Sequence, residues 1–258
     1  MESPLMYVPA EVRLMIYEHL FNDDGNQYLS IRTATANKLP QTATRTRSRY
    51  YVLDRSPHRR CHKTTYHLAT KTVRFCAALM QANRTIHEET SCLLYGGHAF
   101  DFGVDIEAIQ PFLSDLTSAS RALVSAVSLT KRGPAVPLYC ESDRADWRTA
   151  CRFLRDHCGA SIHKLRLVVQ GERPSGPSDG PAEFSADDLR LLAGIRHESL
   201  EWVGELAALR GLRELEVVAD VRACPAPVTS DMVVFAAFSA SIEKGLTEFL
   251  RERLGLLS

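Results

Sequence analysis

One short stretch changes its apolar period, and this narrows the fold more than any other feature. Trp147, Cys151, Leu154 and Cys158 lie four, three and four residues apart, one face of a helix that Gly159 ends. Leu165, Leu167 and Val169 then alternate with Lys164 and Arg166, the pattern of a strand buried on one side. The same helix-to-strand change occurs on either side of this stretch. Residues 105–117 carry the stripe Ile106, Ile109, Phe112, Leu113 and Leu116, with Pro111 as a kink or restart. Residues 122–129 follow, strand-like at Leu123, Val127 and Leu129. Further on, Leu189, Leu192 and Ile195 and then residues 200–209 precede the alternating 212–218. Strands joined through helices pair in parallel. The expectation is a mixed α/β fold: a small curved sheet with helices on one side.

The strand centres Leu129, Leu167 and Val217 fall about 38 and about 50 residues apart, so the units are irregular. Residues 209–217 have an L-x-x-L-x-x-L spacing reminiscent of a leucine-rich repeat, whose period is ~20–29 residues. Residues 171–183, rich in Gly and Pro, read as a flexible loop. A last helix begins near Ser230, a capping residue. Val234, Phe238, Ile242, Leu246, Leu250 and Leu254 then step by four, with Gly245 as a weak point. This helix either closes over the last strand or serves a dimer or partner.

The chain has 258 residues, 45% hydrophobic and 24% charged, with 31 basic and 31 acidic side chains. This excludes a globally basic nucleic-acid binder and an acidic disordered chain. No apolar run is long enough to span a membrane, and the start has no basic or apolar leader, so a cytoplasmic or nuclear protein is expected. Seven cysteines, with no C-x-x-C, read as reduced thiols. The neutral total hides an asymmetry. Residues 30–75 hold eleven Lys and Arg against the single acid Asp54, a net of +10 that the rest of the chain offsets. With many Thr and little periodicity outside 50–53, this stretch reads as a long basic insertion. Its residues Arg45, Arg47, Arg49, Arg59 and Arg60 form either a solvated loop paired with the acidic remainder, a partner or nuclear-import surface, or a contact to phosphate backbone.

Near the N-terminus Pro9 and Glu11 open a helix in which Val12, Met15, Ile16 and Leu20 share one apolar face. A second helix is expected over 72–95, with Val73, Cys76, Leu79, Met80, Ile86, Leu93 and Leu94 as its stripe and Gly96-Gly97 as its stop. A short strand follows at 98–102. The run VPAEVRLMIYEHLF (8–21), paired with LMQANRTIHEETSCLLYGGHAFDF (79–102), resembles the two conserved segments of filamentous-fungal F-box-like proteins. The matches cover about 38 residues. The resemblance implies that Val8, Pro9, Val12, Ile16 and Leu20 contact the linker subunit of an SCF ubiquitin ligase. An F-box proceeds within a few residues to its next helix; here about 50 residues intervene, and Val8 stands where Leu is usual. Read from spacing alone, the first helix's stripe serves equally as packing against the second helix.

No constellation for catalysis is legible. Asp101-Phe102-Gly103 spells the kinase magnesium triplet without the other kinase motifs and reads as a strand end. His87-Glu88-Glu89 is followed by Ser91 where a zincin needs its second His. His58, Cys61, His62, His67 and Cys76 make a poor zinc set because Cys61 and His62 are adjacent. Cys151 and Cys158 read as buried thiols. No catalytic residue, metal or cofactor is assigned. The expected organisation is an F-box-like helical region over 1–104, with the basic insertion at 30–75, and a repeat-like helix/strand region over 105–258. The expected function is a non-enzymatic protein-interaction module, a substrate-recognition subunit of an SCF ligase, with protein partners and no membrane. The alternatives are a subunit of a nuclear or RNA-associated assembly acting through the basic stretch, and an enzyme with an unrecognised site.

Overall fold

The computed structural model describes residues 4–21, 27–35, 47–53, 61–69, 79–132, 140–174 and 183–256. After a short turn over Pro4–Tyr7 come α1 (Ala10–Phe21), β1 (Tyr28–Thr35), β2 (Arg49–Leu53), β3 (Cys61–Leu68), α2 (Arg84–Ser91) and β4 (Ala99–Gly103). Next are α3 (Ile109–Asp115), α4 (Ser118–Leu123), β5 (Ala126–Lys131), α5 (Cys140–Cys158) and β6 (Lys164–Pro174). The chain continues through α6 (Ala186–Gly194), α7 (Glu201–Ala207), β7 (Glu214–Cys224), α8 (Ser230–Ala240) and α9 (Thr247–Arg253). The fold is mixed α/β, as the alternating periods predict. No described helix is long and apolar enough to cross a membrane.

Among the described residues seven strands form one sheet in the order β2-β3-β1-β4-β5-β6-β7. In sheet order from β1 to β7 every neighbouring pair is parallel, while the β2–β3 and β3–β1 pairs are antiparallel. From β4 onward each strand lies beside the next in sequence, because each crossover helix returns the chain to the same edge. The expected boundary between 104 and 105 falls between β4 and β5, which are paired in this sheet.

Register aligns the two faces. Leu29, Phe100, Val127, Leu165 and Leu215 lie side by side on one face and are all buried. The neighbours one residue on, Ser30, Asp101, Ser128, Arg166 and Glu216, are polar. One core cluster joins the apolar face to Ile109 and Leu113 of α3, Trp147 and Leu154 of α5, Leu189 of α6, Val203 of α7 and Phe238 of α8. Trp147 stands edge-on to Trp202 with centroids 5.7 Å apart and donates its indole N–H to the Trp202 carbonyl at 3.1 Å.

Several expectations need correction. The basic stretch is not simply a loop: its described parts are β1, β2 and β3, so residues 1–104 contribute four strands and not helices alone. These strands escape a period count because Thr and charged residues occupy both faces, while cross-strand contacts such as Thr64 Oγ1 to the Tyr50 carbonyl (3.2 Å) hold them. The expected second helix is interrupted: Leu79 is helical, residues 80–82 turn, and α2 starts at Arg84, where the Asn83 side chain accepts the Ile86 N–H at 2.8 Å. Residues 72–78 of the expected helix lie outside the described residues. Leu123 ends α4 and is not in a strand. Of the expected loop 171–183, residues 171–174 extend β6, and 175–182 lie outside the described residues.

The step-by-four stripe of the last helix also has a structural reason. A spacing of four drifts by about 40° per step on a 3.6-residue helix. A wide turn over Ile242–Leu246, with Leu246 N–H bonded to the Ser241 carbonyl at 2.9 Å, takes up part of that drift. Gly245 is therefore a close-approach position and not a weak point: a Cβ there would stand 2.1 Å from the Phe184 carbonyl oxygen. Gly204, within α7, has open space at its Cβ direction. Gly245→Ala should destabilise by about 1–3 kcal/mol through forced backbone movement, and Gly204→Ala should stabilise by about 0.5–1 kcal/mol. Urea unfolding of the two variants checks the contrast.

Candidate functional site

The two segments of the N-terminal resemblance meet through α1 and α2. The buried residues of α1 are Arg13, Tyr17 and Phe21, each four apart. Arg13 donates from Nε to Glu89 Oε2 at 3.1 Å and from Nη2 to the other carboxylate oxygen. Its Nη1 donates to the Val8 carbonyl at 2.7 Å, which fixes the chain entering the helix. The Tyr17 hydroxyl donates to Glu89 Oε2 at 3.2 Å. Phe21 lies 6.2 Å from the buried ring of His98. The clamp reads out electrostatically. The Arg13 hydrogen bonds hold the Glu89 carboxyl below its usual range, and burial raises the Tyr17 hydroxyl.

This docking settles which way α1 faces. At 100° per residue, Arg13, Tyr17 and Phe21 cover about 80° of the helix. Met15, Val12, Ile16 and Leu20 cover the neighbouring arc of about 140°. They are 67%, 43%, 38% and 43% exposed. Val8 is half-buried, Pro9 is exposed and Tyr7 is 76% exposed. The stripe expected from the spacing is thus gathered on one side of α1, and that side is not the one packed on α2. Packing against the second helix, the other use that spacing left open, falls instead to a polar-aromatic set. Arg13, Tyr17 and Glu89 were not singled out, because a count of apolar positions passes over an arginine. The signal present was a second four-residue repeat beside the apolar one.

Of the five basic residues singled out, Arg47 and Arg49 are described. Arg47 is half-buried, donates to the Tyr66 carbonyl at 3.3 Å and holds its guanidinium 5.8 Å from that ring's centroid. Arg49 is exposed on β2. Arg45, Arg59 and Arg60 lie outside the described residues. Arg32 donates to the Asp101 carboxylate at 2.5 Å and to its carbonyl at 2.7 Å. Asp101-Phe102-Gly103 is the end of β4, and Asp101 also accepts the Gly103 N–H.

The sheet face opposite the apolar core carries a polar ladder. Lys164 pairs with Glu214 at 3.1 Å and Arg166 with Glu216 at 3.3 Å, with the Arg166 guanidinium 5.0 Å from the Tyr28 ring centroid. A depression of 430 Å³ between α4 and the end of α5 is lined by Arg121, Arg155, His157 and Arg210 among others. Arg121 is bonded to the Leu113 and Leu116 carbonyls, and Arg155 to Asp156. Cys151 and Cys158 are buried; burial pushes the Cys151 thiol up to about 12 and raises Cys158, so neither is poised as a nucleophile. Among the described residues no three His, Cys, Asp or Glu converge as metal ligands. Cys61, His62 and His67 stand on β3, while His58 and Cys76 lie outside the described residues.

Comparison with family models, curated proteins and solved structures finds no match to this chain.

The clamp has a pH signature. Glu89 titrates lower in the folded chain than the ~4.3 of an unfolded one. Its contribution is therefore present above about pH 4.3 and lost as pH falls through the folded value. Glu89→Gln should melt below wild type at neutral pH, and the gap should narrow as pH drops below about 4. Circular-dichroism melts of the two proteins across this range check it.

Proposed function

We propose that this protein is a non-enzymatic interaction module in which the outer face of α1 docks into an apolar groove of a partner. Val12, Met15, Ile16 and Leu20 supply the apolar anchors, with Val8 and Pro9 at the leading end. The partner is the linker subunit of an SCF ubiquitin ligase, in keeping with the F-box-like segments, and the chain then acts as a substrate-recognition subunit. The observation that carries this function is the split of α1 between two faces. Its polar-aromatic side holds the fold through Glu89, and on its apolar side Met15, Val12 and Ile16 remain exposed. An apolar helix face of this size in water favours a helix-in-groove contact.

The mechanism is proximity, with no covalent step. The open side of the parallel strands β4 to β7, in the manner of a leucine-rich-repeat-like array, offers the second surface. Its polar side chains provide hydrogen-bonding positions for a substrate protein. Among the described cations of residues 30–75, Arg32 and Arg47 are engaged inside the protein, which does not favour the nucleic-acid alternative at those two positions.

The test is capture of the purified linker subunit by the tagged protein at moderate salt. Wild type should retain it stoichiometrically. Ile16→Asp, which places a charge at the centre of the apolar arc, should lose it by tenfold or more with its circular-dichroism spectrum unchanged. No capture by wild type, or equal capture by Ile16→Asp, overturns the proposal.

A further inference from the structure

β7 is the last strand of the sheet and pairs with β6 along its whole 11-residue length. The Glu214 N–H bonds to the His163 carbonyl, so the even-numbered residues of β7 turn their backbone groups toward β6. The odd-numbered residues Leu215, Val217, Ala219, Val221 and Ala223 then turn N–H and C=O away from the sheet. Among the described residues nothing bonds to those groups. The strand contains no proline, and Val221, Arg222 and Ala223 are exposed. A long regular edge of this kind templates a further strand.

The side chains say which strand. When β7 is laid antiparallel against itself about Ala219, the outward backbone groups of Ala219 face those of the second Ala219, and Val217 faces Val221. Glu216 then faces Arg222, twice by symmetry, as a non-hydrogen-bonded pair in which side chains come closest. Arg222 has no ion-pair partner among the described residues, although Glu172 lies beside it in register. Shifting the centre to Val218 sets Arg222 against Glu214 but also places Glu216 against Asp220, twice by symmetry, so the attraction is offset by repulsion between like charges. We infer that the β7 edge is a two-fold interface, joining two copies of this chain into one continuous sheet with Glu216 of each copy paired to Arg222 of the other. The interface is isologous and closed, and it lies on a different element from α1, so it neither needs nor blocks the proposed docking there.

The experiment is light scattering on the full chain from micromolar to hundreds of micromolar concentration. It is paired with oxidative cross-linking of Val218→Cys/Asp220→Cys, whose positions face each other across the proposed axis. The result expected is a dimer mass for wild type, a tenfold or greater weakening of the dimer by Arg222→Glu, and a 218–220 disulfide between chains found by mass spectrometry. The wild type, oxidised in parallel, controls for its native cysteines. A monomer at every concentration overturns the inference. So does a dimer insensitive to Arg222→Glu, or cross-linked chains lacking the 218–220 bond.

Discussion

The contact between Arg13 and Glu89 decides how the N-terminal part of the molecule is assembled. The two residues are 76 positions apart, and both lose most of their water when α1 meets α2. A charge taken from water is tolerated only when it is paired and its remaining donors are satisfied. Here the pairing is bidentate, the third guanidinium nitrogen reaches the Val8 carbonyl, and the Tyr17 hydroxyl completes the carboxylate. Removing either partner strands the other. The requirement links the EVRLMIY run to the IHEE run: one supplies the cation and phenol, the other the carboxylate. The rotation of α1 follows, because the helix cannot bury Arg13 and Tyr17 and also bury Ile16.

The sheet shows the same economy. A parallel sheet is ordinarily covered on both faces. Here the described helices pack on one face, and β6 and β7 make the other polar by alternation: Leu165, Leu167 and Val169 point to the core, while Lys164, Arg166 and Gln170 lie beside Glu214, Glu216 and Asp220. Individually these surface pairs add little stability. Together they line the second face with paired charges.

Legibility in the sequence followed the strength of the period. α5 and β6 were plain because Trp147, Cys151, Leu154 and Cys158, then Leu165, Leu167 and Val169, all enter one core. β1 and β3 were hidden because Thr33, Thr64 and Thr65 are held by hydrogen bonds that leave no apolar alternation. The apolar face of α1 was legible; its direction was not, since direction depends on Glu89, far away in sequence. The wide turn at Ile242–Leu246 was visible only as a stripe with an oddly long step, and its reason, the approach of Phe184 to Gly245, is a tertiary one.

α1 is anchored by Tyr17 and its neighbours and carries Ile16 on its exposed side. The most direct measurement is urea unfolding of Ile16→Asp beside Tyr17→Ala. Ile16→Asp should unfold within about 0.5 kcal/mol of wild type, as an exposed position does. Tyr17→Ala should lose about 3 kcal/mol or more, as a fully buried aromatic does. The reverse order, with Ile16→Asp severely destabilised and Tyr17→Ala nearly neutral, would mean that α1 packs through its apolar stripe and would contradict the account.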